Sequence, residues 1–373
     1  MITELHLLQS FPVSNLNRDD VGQPKTATFG GYVRGRISSQ SLKRAARLLF
    51  DRYGLDRAEV GVRTKRLLDS VVAALHDKNP DEARPIVIAA LQQLGFGLDA
   101  NKGLTEYLLF VGRESVERLA DHCRDNWDKL QTFAEAKTEA QKKKIKPDRA
   151  AQAEIRRILD ASRAADIALF GRMIADNKDL NVDAASQVAH AISTHVVLTE
   201  FDFYTAVDDF KPEDESGADM LGTIDFNTAC YYRYANVDLT QLAKNLQGDV
   251  DLAKRTARAW LLAFVNAVPG GKQNSMAART MPDTLLGVVR EHGAWNLANA
   301  FLNPITDADV MQASTTALVE HFGKLRGFYG DDQIRAAVAA SVSGKISDVA
   351  GVQVVGSLND FTTKVIDAGK YGL

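Results

Sequence analysis

The strongest constraint on this chain is a change of texture along it. From 57 to 186 the sequence is dominated by Ala, Leu, Glu, Lys and Arg, with apolar residues recurring at intervals of three and four. That spacing is the mark of amphipathic helices. On both sides the sequence turns β-branched, aromatic and punctuated by glycine. Strand-forming ends around a helical middle predict an α+β core interrupted by a long all-helical insertion. Helices are expected over 60–78, 81–94, 104–137 and 149–169. A lysine run at 142–146 ends at the helix breaker Pro147 and reads as a solvated helix end.

The flanks carry the strands. Residues 2–11 read as a β-strand, followed by a polar loop through Pro24. The glycine-rich stretch 29–37 turns into a short strand, and Ser38 or Ser39 is placed to cap a helix over 40–53. Residues 196–207 and 223–234 are strand-like runs around a polar, acidic loop at 211–219, which predicts a long hairpin or arm. A helix over 252–268 stops at Pro269-Gly270-Gly271. A strand at 284–289 and helices at 295–302 and 309–325 follow. The order of strands and helices matches a ferredoxin-like core.

One window stands out chemically. Residues 21–50 carry Lys25, Arg34, Arg36, Lys43, Arg44 and Arg47 and no acid, inside a chain of net charge -3. Its centre is Arg36-Ile37-Ser38-Ser39-Gln40-Ser41-Leu42-Lys43-Arg44. A positive block in a mildly acidic protein is a field directed at an anion. Hydroxyl and amide donors beside the cations suit phosphate and sugar contacts. On a helix, Gln40, Lys43, Arg44 and Arg47 fall on neighbouring turns, and the strip begins where free N–H groups already favour an anion.

Other chemistry is poorly served. His190 and His195 are five apart, which does not place two zinc ligands on one helix face; core or hydrogen-bonding roles fit both. Pro269-Gly270-Gly271-Lys272-Gln273 hints at a phosphate loop but departs from the Walker pattern, with Asn266 and Gln273 at the positions of its first Gly and its Ser/Thr. A helix-stop turn is the simpler reading. Gly30-Gly31 lacks dinucleotide-fingerprint spacing, and no G-x-S-x-G is present. Asp19-Asp20 and Asp208-Asp209 fit turn caps better than a metal site. Cys123 and Cys230 are far apart, which argues against a disulfide framework and for a reducing cytoplasm. The start has no signal-peptide pattern, and no apolar run is long enough for a membrane span. The expectation is a non-enzymatic binding protein with no cofactor and no metal.

The pieces of a binding surface are Asn17-Arg18-Asp19-Asp20, Lys25, the basic helix, Gly171-Arg172-Met173 and the pair Phe203-Tyr204. Single-strand binders combine a cationic track with flat or soft side chains against bases. Met173 and Phe203 could serve so, or could be core residues, and Arg18 could be tied up by its neighbouring aspartates.

With those residues in view, the chain resembles the CasC (Cse-type) backbone subunit of the type I-E CRISPR Cascade complex, in the Cas seven family. The blocks that carry the resemblance are Leu16-Asn17-Arg18-Asp19-Asp20, Phe29-Gly30-Gly31 and the basic strip. They continue through 166–173, 189–195, 202–209, 231–236 and 269–273, in the family's order. The resemblance implies a ferredoxin-like (RRM-like) palm over 1–56 and 187–373, helical fingers over 57–186 and a protruding β-hairpin thumb at about 196–226. It implies about six copies along one CRISPR RNA, each thumb displacing one base so that short segments pair with target DNA. It also implies partnership with the large, small, RNA-capping and guide-processing subunits of Cascade. By motif position, Arg18, Lys25, Ser38, Gln40, Lys43 and Arg47 would meet guide phosphates and sugars, and Met173 would press on bases. Phe203, Tyr204 and Thr205 would sit on the thumb, where family members carry Trp-Phe; which ring meets a base is left open. Arg44, from the basic face, and Lys272 with Gln273, from the phosphate-loop-like turn, complete the candidate RNA-binding set. The competing expectations are a stand-alone RNA-processing endoribonuclease and a generic single-strand RNA binder.

Overall fold

The computed structural model of the protein describes residues 1–373 apart from 100–101, 137–148, 161, 175–177, 207–219, 344–345, 347–348 and 373. The lysine run at 142–146, Asp208-Asp209 and the loop at 211–219 lie outside the described residues.

The chain opens with strands β1 (Ile2–Ser14), β2 (Thr26–Phe29) and β3 (Tyr32–Ile37) and helix α1 (Ser39–Arg47). Next come β4 (Val62–Thr64), α2 (Leu67–Ala74), α3 (Pro80–Gln93), β5 (Leu98–Asp99), β6 (Leu104–Thr105), β7 (Leu109–Val111), α4 (Glu114–Asp125), α5 (Trp127–Ala136), α6 (Arg149–Ile158) and α7 (Ala165–Phe170). Then follow β8 (Ser186–Val188), β9 (Ala191–Ser193), β10 (Glu200–Ala206), β11 (Met220–Asp238), α8 (Leu239–Asn245), α9 (Val250–Asn266) and α10 (Gln273–Met276). The chain closes with β12 (Thr284–Arg290), α11 (Val310–Tyr329), β13 (Ile334–Ser341), β14 (Gln353–Val354) and α12 (Leu358–Asp367). These fall into two compact units: Met1–Tyr53 with Ser186–Thr240 and Lys254–Gly372, and Gly54–Ala185 with Gln241–Ala253.

The first unit is built on one large sheet, in the order β14-β13-β12-β1-β11-β9-β3-β2, with β8 and β10 also paired to β11. Every pairing is antiparallel except β13 with β14. Strand β1 is central, between β12 and β11, and is buried on both faces over most of its length. One face holds Leu8, Tyr232, Tyr234, Leu286 and Val288 against Leu318 and Phe322 of α11. Burial on both faces also takes polar groups inside, and several of them pair, although Thr3 Oγ1 and Glu4 Oε2 are buried without a partner among the described residues. His6 Nδ1 lies 2.9 Å from Tyr232 Oη, and Tyr234 Oη donates to Glu4 Oε1 at 3.2 Å.

Strand β11 is the long element of this unit. Its first part, Met220 to Phe226, pairs with β10, and its second part pairs with β1 from Asn227 to Asp238. The hairpin arm is therefore a continuation of a core strand. Several elements here differ from expectation. The helix after Ser38 ends at Arg47, and Phe50–Tyr53 is a separate 3-10 turn. The segment at 295–302 is a 3-10 turn, Leu297–Phe301. The alanine-rich β13 and the helix α12 were not expected at all. Ile334–Ser341 reads as helix-forming by propensity, but pairing with β12 overrides it.

The second unit is helical but not all-helical, which corrects the sequence reading. Residues 62–64 pair with 111–109 as β4 and β7, and β5 pairs with β6. The expected helix over 60–78 fails in its first part because that backbone is claimed elsewhere. Gly61 N donates to the buried Asp166 Oδ1 at 2.7 Å, and Lys65 O accepts from Thr105 N at 2.8 Å. The expected helix over 104–137 splits into β6, β7, α4 and α5. Short apolar runs such as Leu109–Val111 carry no period that separates strand from helix. Leu68, Val71, Val87, Leu91, Leu119, Cys123 and Ile155 form the core of this unit.

Candidate nucleic-acid interface

Helix α1 carries the main cationic surface. Ser38 is its N-cap, in extended backbone, and its hydroxyl accepts from Ser41 N at 3.4 Å. Leu42 and Ala46 are buried, which fixes the inward face. At 3.6 residues per turn, Gln40, Lys43, Arg44 and Arg47 fall within an arc of about 100° on the opposite side. Gln40 and Arg44 are exposed; Lys43 and Arg47 are half-buried. No acid lies in the first turn. Ser38 itself is buried and committed to the cap, so it serves this surface by fixing the helix start.

The start of α1 is tied to its neighbours. Ser38 N donates to Asn17 Oδ1 at 2.8 Å, and Lys25 N donates to Asn17 O at 3.0 Å. Arg36 N donates to Lys25 O at 2.8 Å. Asn17 thus fastens the loop that holds Arg18 and Lys25 to the helix cap. Asp19 Oδ1 accepts from Val21 N at 3.0 Å and Gln23 N at 2.9 Å, a turn-capping role. Arg18 is exposed and makes no ion pair with its neighbouring aspartates among the described residues.

His190 completes this corner. Its Nδ1 accepts from Ser39 N at 3.3 Å and lies 3.4 Å from Arg36 Nη1. Burial, then Arg36 and Lys25, push its pKa below the ordinary histidine value. With Nδ1 accepting from the helix end, the neutral ring carries its proton on Nε2. His195 likewise has a hydrogen-bonding role, with Nδ1 donating to Val196 O at 2.8 Å and Nε2 accepting from Cys230 N at 3.1 Å.

The turn before α10 packs against the same loop. A Cβ on Gly271 would stand 2.4 Å from Leu16 O and 2.6 Å from Asn15 O, so only glycine lets the backbones meet. Lys272 follows at φ 50, in the left-handed region. Gln273 turns inward, its Nε2 donating to Pro269 O at 3.0 Å and Ala278 O at 3.4 Å, so it holds the turn closed.

One cation of the window belongs to the interior. Arg34 is fully buried, and donates to Ser193 O at 2.9 Å and Phe301 O at 2.8 Å. It is a bolt across the sheet, and the field read from six cations is correspondingly reduced.

On the hairpin, Phe203 and Tyr204 face opposite ways, because side chains alternate along a strand. Tyr204 lies over its cross-strand partner Gly222, where a Cβ would stand 2.5 Å from the ring. Phe203, 58% exposed, shares its face with Phe201, 74% exposed, and with Thr205 and Leu221. In the second unit Met173 is 84% exposed, so it is not a core residue. Its neighbour Arg172 is buried and holds backbone carbonyls.

The profile of a protein family described as CT1975-like protein matches residues 3–364, nearly the whole chain. The chain belongs to the CT1975-like family. No curated protein matches it. A solved chain from a structure titled "CRISPR RNA-guided surveillance complex, pre-nicking" aligns with 99% of this chain and 100% of its own, at 31% identity and a TM-score of 0.85. A second, titled "CRISPR RNA-guided surveillance complex", aligns over the same shares at 26% identity and a TM-score of 0.76.

In this CT1975-like chain the structure gathers Arg18, Lys25, the arc on α1 and the Lys272 turn around one loop of the first unit. It separates Phe203 from Tyr204. Sequence reasoning missed Phe201 and the part played by His190. The strand alternation from 200 to 206 already put Phe201 with Phe203. Nothing local linked His190 to Ser39, which are brought together by the pairing of β3 with β9. Among the described residues no group of three or more His, Cys, Asp or Glu could hold a metal ion, and no helix is long and apolar enough to cross a membrane.

Proposed function

We propose that this protein is the CRISPR RNA-binding backbone subunit of a Cascade-like surveillance complex of type I-E, and that it works in the cytoplasm without catalysing a reaction. The observation that carries this reading is the joined surface of Arg18, Lys25 and the outward arc of α1. It is fixed by Asn17 and backed by membership of the CT1975-like family. A guide must be held by its backbone so that its base edges stay free for the target. Cations and amides on a capped helix suit that task, and Gln40 can address a 2′-hydroxyl.

The palm, fingers and thumb follow from the same proposal. Strands β12, β1, β11 and β9 lie side by side, which in chain order is fourth, first, third, second. With α1 after the first strand and α9 after the third, this order supports reading the palm as ferredoxin-like, β-α-β-β-α-β. The β10–β11 hairpin is the thumb, with Phe201, Phe203 and Thr205 as the face that meets displaced bases. The helical unit supplies the fingers and Met173. Copies of the chain, about six in the family's assembly, line one guide beside the large, small, RNA-capping and guide-processing subunits, and the exposed segments pair with target DNA. The engagement of His190 Nδ1 by Ser39 N supports the non-enzymatic reading, since a neutral ring with its acceptor taken is not placed as a general base.

Native mass spectrometry of the purified protein with CRISPR RNAs of increasing length tests this. A ladder of copies that grows with guide length is expected. A single copy per RNA, or cleavage of a guide precursor by the protein alone, would overturn it.

A further inference from the structure

The second unit holds a cavity of about 440 Å³ that the RNA-binding reading does not use. Its walls include Arg156 and Asp160 near the end of α6, Arg172, Asn181, Asp183 and Lys244 of α8. The volume is that of a small-molecule site.

Arg172 is the unusual group. Its side chain is 7% exposed. Its backbone exchanges two hydrogen bonds with Val182, both 2.9 Å. Its Nε donates to Leu180 O and its Nη1 to Leu159 O, again at 2.9 Å. All these partners are neutral. Burial works against this cation, and the nearby Asp160 carboxylate offsets only part of that cost. Its Nη2 has no partner among the described residues, yet is not among the sealed-off atoms, so it is open at the cavity that the residue lines.

Asp160 acts on Arg172 through its field, but neither carboxylate makes a hydrogen bond or ion pair to Nη2 among the described residues. Asp160 accepts from Ser162 N at 3.0 Å and from Ser162 Oγ at 2.9 Å, and lies 3.8 Å from Arg118 Nη1. Asp183 also lines the cavity, and its carbonyl accepts from Asn245 Nδ2 at 2.7 Å. Against these two acids stand Arg156, Arg172 and Lys244, and Lys244 has no ion-pair partner among the described residues.

We propose that this cavity binds a small phosphate-bearing anion of nucleotide size or less, its phosphate seated between Nη2 of Arg172 and the ammonium of Lys244. A guanidinium edge held rigidly by two carbonyls is pre-organised for an oxyanion. The mixed amide, hydroxyl and acidic lining suits a polar remainder, such as a ribose, better than an apolar one. Asp183 disfavours ligands with further negative charge near it.

The test is calorimetric titration of the full chain with adenosine 5′-monophosphate and with inorganic phosphate, against chloride at matched ionic strength. Saturable binding of either probe at one site is expected. Lys244→Gln should weaken it about 10-fold, the loss of one charge-assisted hydrogen bond, and Arg172→Met should abolish it. Should Arg172→Met fail to fold, the exposed Lys244→Gln decides alone. No heat beyond the chloride control, or Lys244→Gln binding like the parent, overturns the proposal. Affinity of Lys244→Gln for CRISPR RNA is expected to be unchanged; a parallel loss would assign Lys244 to the RNA track and overturn the separate site.

Discussion

Replacing Lys43, Arg44 and Arg47 together by glutamine should change how RNA binding responds to salt, and by a calculable amount. All three project from the outward arc of α1, while Leu42 and Ala46 keep the helix seated. Glutamine preserves helix propensity, so the fold should survive. Each phosphate contact on a single strand contributes about 0.7 to the slope of log affinity against log salt, so three lost contacts lower it by about 2.1. Over a fourfold rise in salt, from about 50 to 200 mM, the variant should lose about 20-fold less affinity than the parent. Fluorescence anisotropy with a labelled guide across that range measures both slopes, with thermal unfolding as the check on folding. Arg34 is the internal control, because it is bolted to Ser193 O and Phe301 O. Arg34→Met should lower stability, and any folded fraction should keep the parent slope. An unchanged slope in the folded triple variant would remove α1 from the RNA track.

Three further outcomes follow from single positions. Burial raises the Glu4 carboxyl from 4.5 to about 7, against opposing hydrogen bonds from Trp295 N and Tyr234 and the charge of Arg290. Since the folded pKa lies above the unfolded one, this contribution is complete below about pH 4.5 and gone above about pH 7, a loss of about 3 kcal/mol. Glu4→Gln keeps an acceptor for both donors and should therefore gain about that much over the parent between pH 4.5 and 8 in urea unfolding; parallel curves would refute it. Gly271→Ala should cost about 1–3 kcal/mol by driving a methyl into Leu16 O and should weaken RNA binding, whereas Gly270→Ala, with open space around it, should do neither. Phe201→Ser and Phe203→Ser should each weaken guide binding by about 1–3 kcal/mol if both stack on bases, while Tyr204→Ser should instead loosen the hairpin over Gly222; a larger binding loss at Tyr204 than at Phe203 would reverse the assigned faces.

The sequence by itself determined what depends on neighbours within a turn or two. A serine cap, at Ser38 or Ser39, and the outward arc of Gln40, Lys43, Arg44 and Arg47 follow from positions three and four apart, and both were legible; the structure settles the cap on Ser38 and the inward face on Leu42 and Ala46. So were β1, β12 and the β10–β11 arm, whose strand chemistry is continuous over several residues. Tertiary structure decided what depends on partners far along the chain. Arg34 and Arg36 sit two apart in the same basic window, yet Arg34 is buried on carbonyls at 193 and 301 while Arg36 reaches His190. No local pattern separates them, because the partners arrive only when β3 pairs with β9. Ile334–Ser341 is a strand because β12 offers it a ladder, and residues 62–64 are a strand because β7 pairs with them while Asp166 and Thr105 hold the backbone at 61 and 65. Helix periodicity is written in side chains and survives reading in isolation. The choice of which cation faces solvent, and which alanine-rich run becomes a strand, is made by hydrogen-bond partners that only the folded sheet supplies.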